Sequence, residues 1–401
     1  MIPLLAAGDP LFADGVDLTV VLIVVAKTVV VFGAMLVSVL LLIWFERKLI
    51  ADMQDRVGPA RAGPFGVLQT LADGIKLFFK EDFLPTKADR RVYRLAPYLA
   101  TVPAFLSFAI VPIGGTVTIA GRQTRLQLAD PPIGILFLLA MSSIAVYGVM
   151  LAGWSSGSKY PLLGAVRGSA QMVSYEAALG LSVVAVVLVT GSLVTSDIVA
   201  GQSGEGFFGI IPNWNILRLG FIPFVVFFIA GTAEAHRPPF DLVEAEQELV
   251  GGFHTEYSAL RFALFFLAEF MNTITISAIM VTLFLGGPSG PGPSGGFFGA
   301  FVPVFWFLIK VFAILCVFIW LRATLPRFRY DQLMDLGWKK LIPLSLGWLL
   351  IQAAFLVDLK WGVIVTVGAV VMAVMLWRAI QMSHEATEQD APAPPRFRQV
   401  H

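Results

Sequence analysis

Three carboxylates sit where carboxylates are expensive. Glu176, Glu234 and Glu269 fall inside, or at the end of, long apolar runs. An ionisable side chain there costs ~2.5–3.5 kcal/mol on insertion scales and normally marks a proton or ion path or a paired site. Between the last two lies EAHRPPFDLVEAEQELVGGFHTEYS (234–258), which holds Asp241, Glu244, Glu246, Glu248 and Glu256 against Arg237 as its one basic Lys or Arg residue. Crowded carboxylates disfavour one another's ionised forms, so such a segment can take up protons near neutral pH. Buried acids beside an acidic loop suit a chain of proton-exchange sites. The plainer alternative is that each is paired with an arginine or capped by backbone.

A second informative stretch is ERKLIADMQDRVGPARAGPFGVLQTLADGIKLFFKED (46–82). Along 66–80, Val67, Leu68, Leu71, Ile75, Phe78 and Phe79 follow helical spacing, while Gln69, Asp73, Lys76 and Lys80 form a separate polar stripe. This predicts an amphipathic helix in the membrane interface, its apolar face in the headgroup boundary and its polar stripe turned to water or a partner protein. Before it, Gly58-Pro59 and Gly63-Pro64 bend the chain, and Arg56 and Arg61 place cations near lipid depth. The segment reads either as a basic anchor for anionic headgroups or as the wall of a cavity for a lipid-borne polar headgroup.

Other chemistries fail on context. Gly290, Gly292 and Gly295 fit G-x-G-x-x-G but are interrupted by prolines between two apolar runs, with no strand before them. Gly153, Ser155 and Gly157 fit a nucleophile elbow but follow an apolar helix where a sheet strand is required. His236, His254, His384 and His401 show no H-E-x-x-H spacing, and there is no P-loop, so no metal site is expected. The single cysteine, Cys316, cannot by itself hold an iron-sulfur cluster.

The elements that must position these residues are membrane helices. Of the 401 residues, 57% are hydrophobic and 14% charged, far from the balance of a soluble domain. A net charge of +1 gives no reason to expect nucleic acid. Apolar runs near 18–44, 95–113, 133–152, 172–192, 217–234, 262–285, 300–323, 341–357 and 361–381 predict an all-α polytopic membrane protein. It would have nine transmembrane helices plus the interfacial helix, forming one membrane domain over 1–381. The first run is too long for a signal-peptide core and lacks a basic leader, so it reads as a retained span.

With the N-terminus outside, 22 of the 28 Lys and Arg residues fall on the inner side, four on the outer, and Lys27 and Lys310 within spans. The positive-inside rule therefore places the C-terminus in the cytoplasm. At ~1.5 Å per residue, Glu176, Glu234 and Glu269 share one inner depth. The linker GGPSGPGPSGG (286–296) reads as flexible, and the tail 383–401 as disordered.

The segments 46–82 and 234–258, together with LGAVRGSAQMVSYEAALGLS (163–182), resemble the signature segments of the H subunit of respiratory complex I, the proton-translocating NADH:quinone oxidoreductase. The resemblance covers roughly residues 18–381. It departs at Ala60, where the family commonly has Asn after Gly-Pro, a change confined to a local turn hydrogen bond. The resemblance implies a subunit of a prokaryotic plasma membrane complex that joins a peripheral electron-transfer arm to a membrane arm. Quinone would be its substrate, and NADH, FMN and iron-sulfur clusters would sit in partner subunits.

By motif, Glu46, Arg47, Arg56, Arg61, Asp73 and Lys76 would line or support the quinone chamber. Glu176, Asp241, Glu244, Glu246, Glu248, Glu256 and Glu269 would form the acidic proton path, with Arg237 as counter-ion. The implied partners are the quinone-site and iron-sulfur subunits of the peripheral arm, other membrane-arm subunits including antiporter-like ones, and lipids. A membrane component of a related hydrogenase or quinone-linked dehydrogenase, and a stand-alone cation/proton transporter, are the alternative readings.

Overall fold

The computed structural model describes residues 9–13, 15–204, 213–243, 246–291 and 296–389. These form two units, Met1–Ser345 and Leu346–His401. Every apolar run named above lies on a helix. In chain order these are α1 (Leu18–Met53), α2 (Gln69–Phe79, the interfacial helix), α3 (Arg90–Phe108), α4 (Gly134–Ser155), α5 (Lys159–Thr190) and α6 (Phe221–Glu234). They continue with α7 (Ala259–Phe284), α8 (Gly296–Thr324), α9 (Ile342–Val357, preceded by a π-turn over Leu336–Leu341) and α10 (Leu359–Gln389). Among the described residues six helical stretches are long and apolar enough to cross a membrane, and the apolar parts of α6 and α10 are shorter. The chain is a multi-pass, all-α membrane protein.

α10 runs to Gln389, so residues 383–389 of the expected disordered tail are helical, and 390–401 lie outside the described residues. Within the second unit, Val363, Ile364, Val367, Val370 and Val371 are exposed apolar side chains. That is the composition of a helix that faces lipid or another apolar surface.

α1 starts cleanly because Asp17 accepts a hydrogen bond from the Leu18 amide at 2.7 Å. Its 36 residues are about 54 Å long at ~1.5 Å per residue, well beyond the ~30 Å hydrocarbon core. Its last turns therefore carry Glu46 and Arg47 beyond a hydrocarbon span that starts at Leu18.

α3 is not among those six stretches and holds Pro97 and Pro103. Proline has no N–H, so Pro97 leaves the Tyr93 carbonyl without its helical donor. Tyr257 Oη supplies one at 3.2 Å. In return Tyr93 Oη donates to the Glu256 carbonyl at 2.6 Å, and the two rings stack at 4.1 Å. Burial pushes the Tyr257 phenol up to about 12, so it stays a donor throughout the physiological range. This pair fastens the end of the acidic loop to α3.

α4 packs against α3 and α5, α5 against α6, and α7 against α3. The largest cluster of buried apolar side chains runs through α5, α6, α7 and α8, with Tyr175, Phe227, Met271 and Phe284 among its fully buried members.

Between α3 and α4 lies an element that apolar periodicity does not reveal. Thr116–Ile119 and Arg122–Arg125 form an antiparallel hairpin, β1–β2, turning at Ala120 and Gly121, both with positive φ. It accounts for Lys27, whose ammonium meets Asp9 at 3.1 Å and Thr124 of β2 at 2.9 Å. Lys310 is also fully engaged: it donates to the carbonyls of Leu285, Gly287 and Ser289 at 2.8, 3.0 and 2.7 Å. Both in-span lysines are structural pins.

Candidate functional site: a cavity and a chain of buried acids

Glu46, near the C-terminal end of α1, is 5% exposed. A buried carboxylate survives only when paired and hydrogen-bonded, and two guanidiniums meet this one. Arg237 Nη1 lies 3.3 Å from both of its oxygens, and Arg322 of α8 donates to Oε1. Arg237 also reaches α7, with Nε 3.5 Å from Glu269 Oε1 and 3.3 Å from Thr273 Oγ1. Its guanidinium lies over the Phe270 ring at 4.2 Å. Two carboxylates and two arginines thus balance at the junction of α1, α7 and α8, with Glu46 and Arg237 buried, Glu269 half-buried and Arg322 reaching in from an exposed position.

This group forms one wall of a cavity of about 420 Å³, inside the range of small-molecule sites, roughly 300–1,000 Å³. Glu46, Arg47, Arg56, Arg237, Glu269 and Arg322 line it together with Phe266, Phe270 and the backbone bend at Gly58-Pro59. Cations, carboxylates and aromatic faces therefore surround a space with both polar and apolar walls.

The neighbouring segment is held in place by three contacts to α1. Trp44 donates to the Phe65 carbonyl at 3.0 Å, Thr70 to the Leu40 carbonyl at 3.0 Å, and Arg47 pairs with Asp73 at 2.7 Å. Gly66, with φ +76°, packs so closely on Pro59 that a Cβ would lie 2.4 Å from the Pro59 carbonyl carbon and oxygen.

The polar stripe of α2 is divided, contrary to the sequence expectation of one face turned to water or a partner. Asp73 turns onto Arg47, with Gln69 bonded to Asp73 at 3.2 Å, whereas Lys76 and Lys80 are exposed. The apolar face, including Ile75, Phe78 and Phe79, is exposed too. The reason is that α2 packs on α1 and α7 through its Thr70 side, so part of the polar stripe serves as the contact.

Glu269 is common to this cavity and to a second of about 60 Å³. The second is lined also by His236, Glu234, Ser142 and Asn272. Glu234, Ser142 and Asn272 continue into a third of about 20 Å³. Ser142 donates to Glu234 and the adjacent Ser143 to Glu176. Glu234 and Glu269 therefore line one cavity, and Glu176 joins them through the adjacent serines of α4.

The loop acids are placed differently. Asp241 pairs with Arg327 at 2.8 Å and Glu248 with Arg167 at 2.7 Å. Arginines from distant parts of the chain thus neutralise these two, while Arg237 pairs with Glu46 and Glu269. Glu256 is half-buried and contributes its carbonyl to Tyr93. Glu244 lies outside the described residues, as does the side chain of Glu246, which belongs to a short helix, Glu246–Leu249. Arg61 and Lys76 are exposed and do not line the large cavity. Among the described residues no group of three or more His, Cys, Asp or Glu is placed to hold a metal ion.

Sequence reading missed Arg322, Ser142, Ser143 and His236. Only the serines carried a local signal, a polar doublet inside an apolar run.

A multi-pass protein with an arginine-linked acid pair beside a mixed polar and apolar cavity is a membrane subunit built around buried charge. The NADH dehydrogenase family profile matches residues 26–353. The H subunit of the NADH-quinone oxidoreductase of Frankia casuarinae is 53% identical over 361 residues, covering 88% of this chain and 77% of that protein. Its namesake from Frankia alni is 53% identical over 341 residues, covering 84% and 74%. The chain belongs to this family, that of the H subunit of NADH-quinone oxidoreductase, a membrane component of complex I.

Proposed function

We propose that the chain admits quinone from the bilayer into the cavity at Glu46, Arg47 and Arg56, and couples quinone reduction to proton translocation through its buried acids. One observation carries the reading. Arg237 is shared by Glu46 and Glu269, and Glu269 lines both the large cavity and the next one. A change of charge in the large cavity acts on Arg237 at short range in a low-dielectric setting, where Coulomb interactions are strong. Any shift of Arg237 changes the stabilisation of Glu269. Glu269, Glu234 and Glu176 then pass the change along the membrane arm.

Electrons reach the quinone from NADH, FMN and iron-sulfur clusters in partner subunits, and antiporter-like subunits receive the signal. The chain sits in the plasma membrane with its N-terminus outside and its C-terminus in the cytoplasm. The exposed apolar face of α2 meets lipid beside the entrance. Asp73 supports Arg47, Arg61 and Lys76 act at the rim, and Asp241, Glu244, Glu246, Glu248 and Glu256 supply protons from the inner side.

Glu269→Gln in the assembled complex is expected to slow coupled turnover about tenfold, near 1.4 kcal/mol of barrier. Ala at Asp241, Glu246 or Glu248 should lower NADH-driven proton translocation in membrane vesicles. Near-normal turnover and pumping in all three Ala variants removes the loop acids from the path. The same result for Glu269→Gln removes the path itself.

A further inference from the structure

Ser142 and Ser143 are consecutive residues of α4, yet their hydroxyls meet acids from two different helices, Glu234 of α6 and Glu176 of α5. Ser143 Oγ also lies 3.0 Å from the Leu139 carbonyl, which can only accept. A hydroxyl has one proton to donate and lone pairs to receive with, so Ser143 cannot donate to both neighbours at once. With Glu176 ionised, Ser143 donates to the carboxylate. With Glu176 protonated, the carboxyl O–H donates to Ser143 Oγ and the seryl proton turns to Leu139. Either charge state is satisfied by a rotation about one C–O bond.

Ser142 and Glu234 line the cavities of about 60 and 20 Å³. Each reaches the ~10–15 Å³ that a water molecule needs, so Ser142 has room for a second partner. The adjacent serines hold the two carboxylates on neighbouring positions of one helix, and like charges held close disfavour one another's ionised forms.

We propose that Ser142 and Ser143 are positioning residues that hold Glu234 and Glu176 for the exchange of a single proton, donating to whichever acid is ionised and accepting from whichever is protonated. The exchange breaks one carboxyl O–H bond and forms the other, and the pair keeps one negative charge throughout. The inference rests on the acidic path proposed above.

The test uses the assembled complex in membrane vesicles, comparing S142A/S143A, S142T/S143T and E234Q. NADH oxidation by a water-soluble acceptor reports on assembly, and NADH-driven proton translocation with quinone is the readout. Loss of hydrogen bonds to a charged group predicts that translocation in the Ala variant falls at least about tenfold, with the soluble-acceptor rate unchanged. The Thr variant, which keeps both hydroxyls, restores translocation. Normal translocation in the Ala variant alongside loss in E234Q overturns the serine bridge and leaves the acidic path standing. Normal translocation in both overturns the path and the bridge together. Should the Ala variant fail to assemble, S142V/S143V against S142T/S143T, matched in shape and differing in the hydroxyl, decides the same question. Equal translocation in that pair refutes the bridge.

Discussion

Arg237→Ala is expected to abolish most quinone-linked NADH oxidation. The guanidinium links α1 to α7 through Glu46 and Glu269 and stacks on Phe270. Without it Glu46 keeps Arg322, while Glu269 loses the cation at 3.5 Å. Breaking a buried pair by removing one partner costs ~3–5 kcal/mol. Where that cost falls on the state that accepts charge from the cavity, turnover drops roughly 150- to 5,000-fold. Arg237→Lys retains the charge but replaces a planar fork with a point donor. It cannot hold both carboxylates in the same geometry, and an intermediate rate is expected. The measurement is the NADH:quinone rate of assembled complex divided by its rate with a water-soluble acceptor. A near-normal ratio for Arg237→Ala would show that Glu46 and Glu269 do not depend on a shared cation.

The second large effect is expected at Gly66, which touches no charged group. Gly66 is buried, adopts φ +76°, and faces the Pro59 backbone. Gly66→Val places a branched side chain in a left-handed conformation, a strain of about 1–3 kcal/mol, and adds a Cβ at 2.4 Å from backbone atoms that cannot rotate away. The bend at Gly58-Pro59 must shift, and with it the cavity wall that includes Arg56. Quinone-linked turnover should fall by more than about tenfold, which corresponds to ~1.4 kcal/mol. Proton translocation per quinone reduced by the residual activity should stay normal, because the acids are untouched. Arg237→Ala and Gly66→Val thus separate damage to the coupling group from damage to the cavity wall.

The two substitutions also mark what the sequence made legible. Apolar runs of spanning length and the positive-inside bias are local properties, and each run lies on a helix. The interfacial helix was legible for the same reason, since its periodicity is contained in eleven residues. Counting along the spans placed Glu176, Glu234 and Glu269 at one expected level; Glu234 and Glu269 line one cavity, and Glu176 joins through the Ser142–Ser143 pair. Partners were not legible. Glu46 and Arg322 are separated by 276 positions, Asp241 and Arg327 by 86, and no pattern within a window connects them. Arg237 looked like a counter-ion for its own loop because the loop holds no other cation before Arg261; the helix packing instead turns it to α1 and α7. The hairpin at 116–125 was hidden because two four-residue strands bury little apolar area and leave no long periodic signal.

The claim on which everything else depends is that quinone occupies the cavity bordered by Glu46 and Arg237. A quinone analogue carrying a photoreactive group on its tail, irradiated in the assembled complex and mapped by peptide mass spectrometry, tests it directly. The account predicts label on this chain between Ile43 and Pro59 and around Phe266–Phe270, suppressed by excess unlabelled quinone and reduced in Gly66→Val. Label confined to other subunits or to the outer ends of the helices, with none suppressible on these two segments, would contradict it.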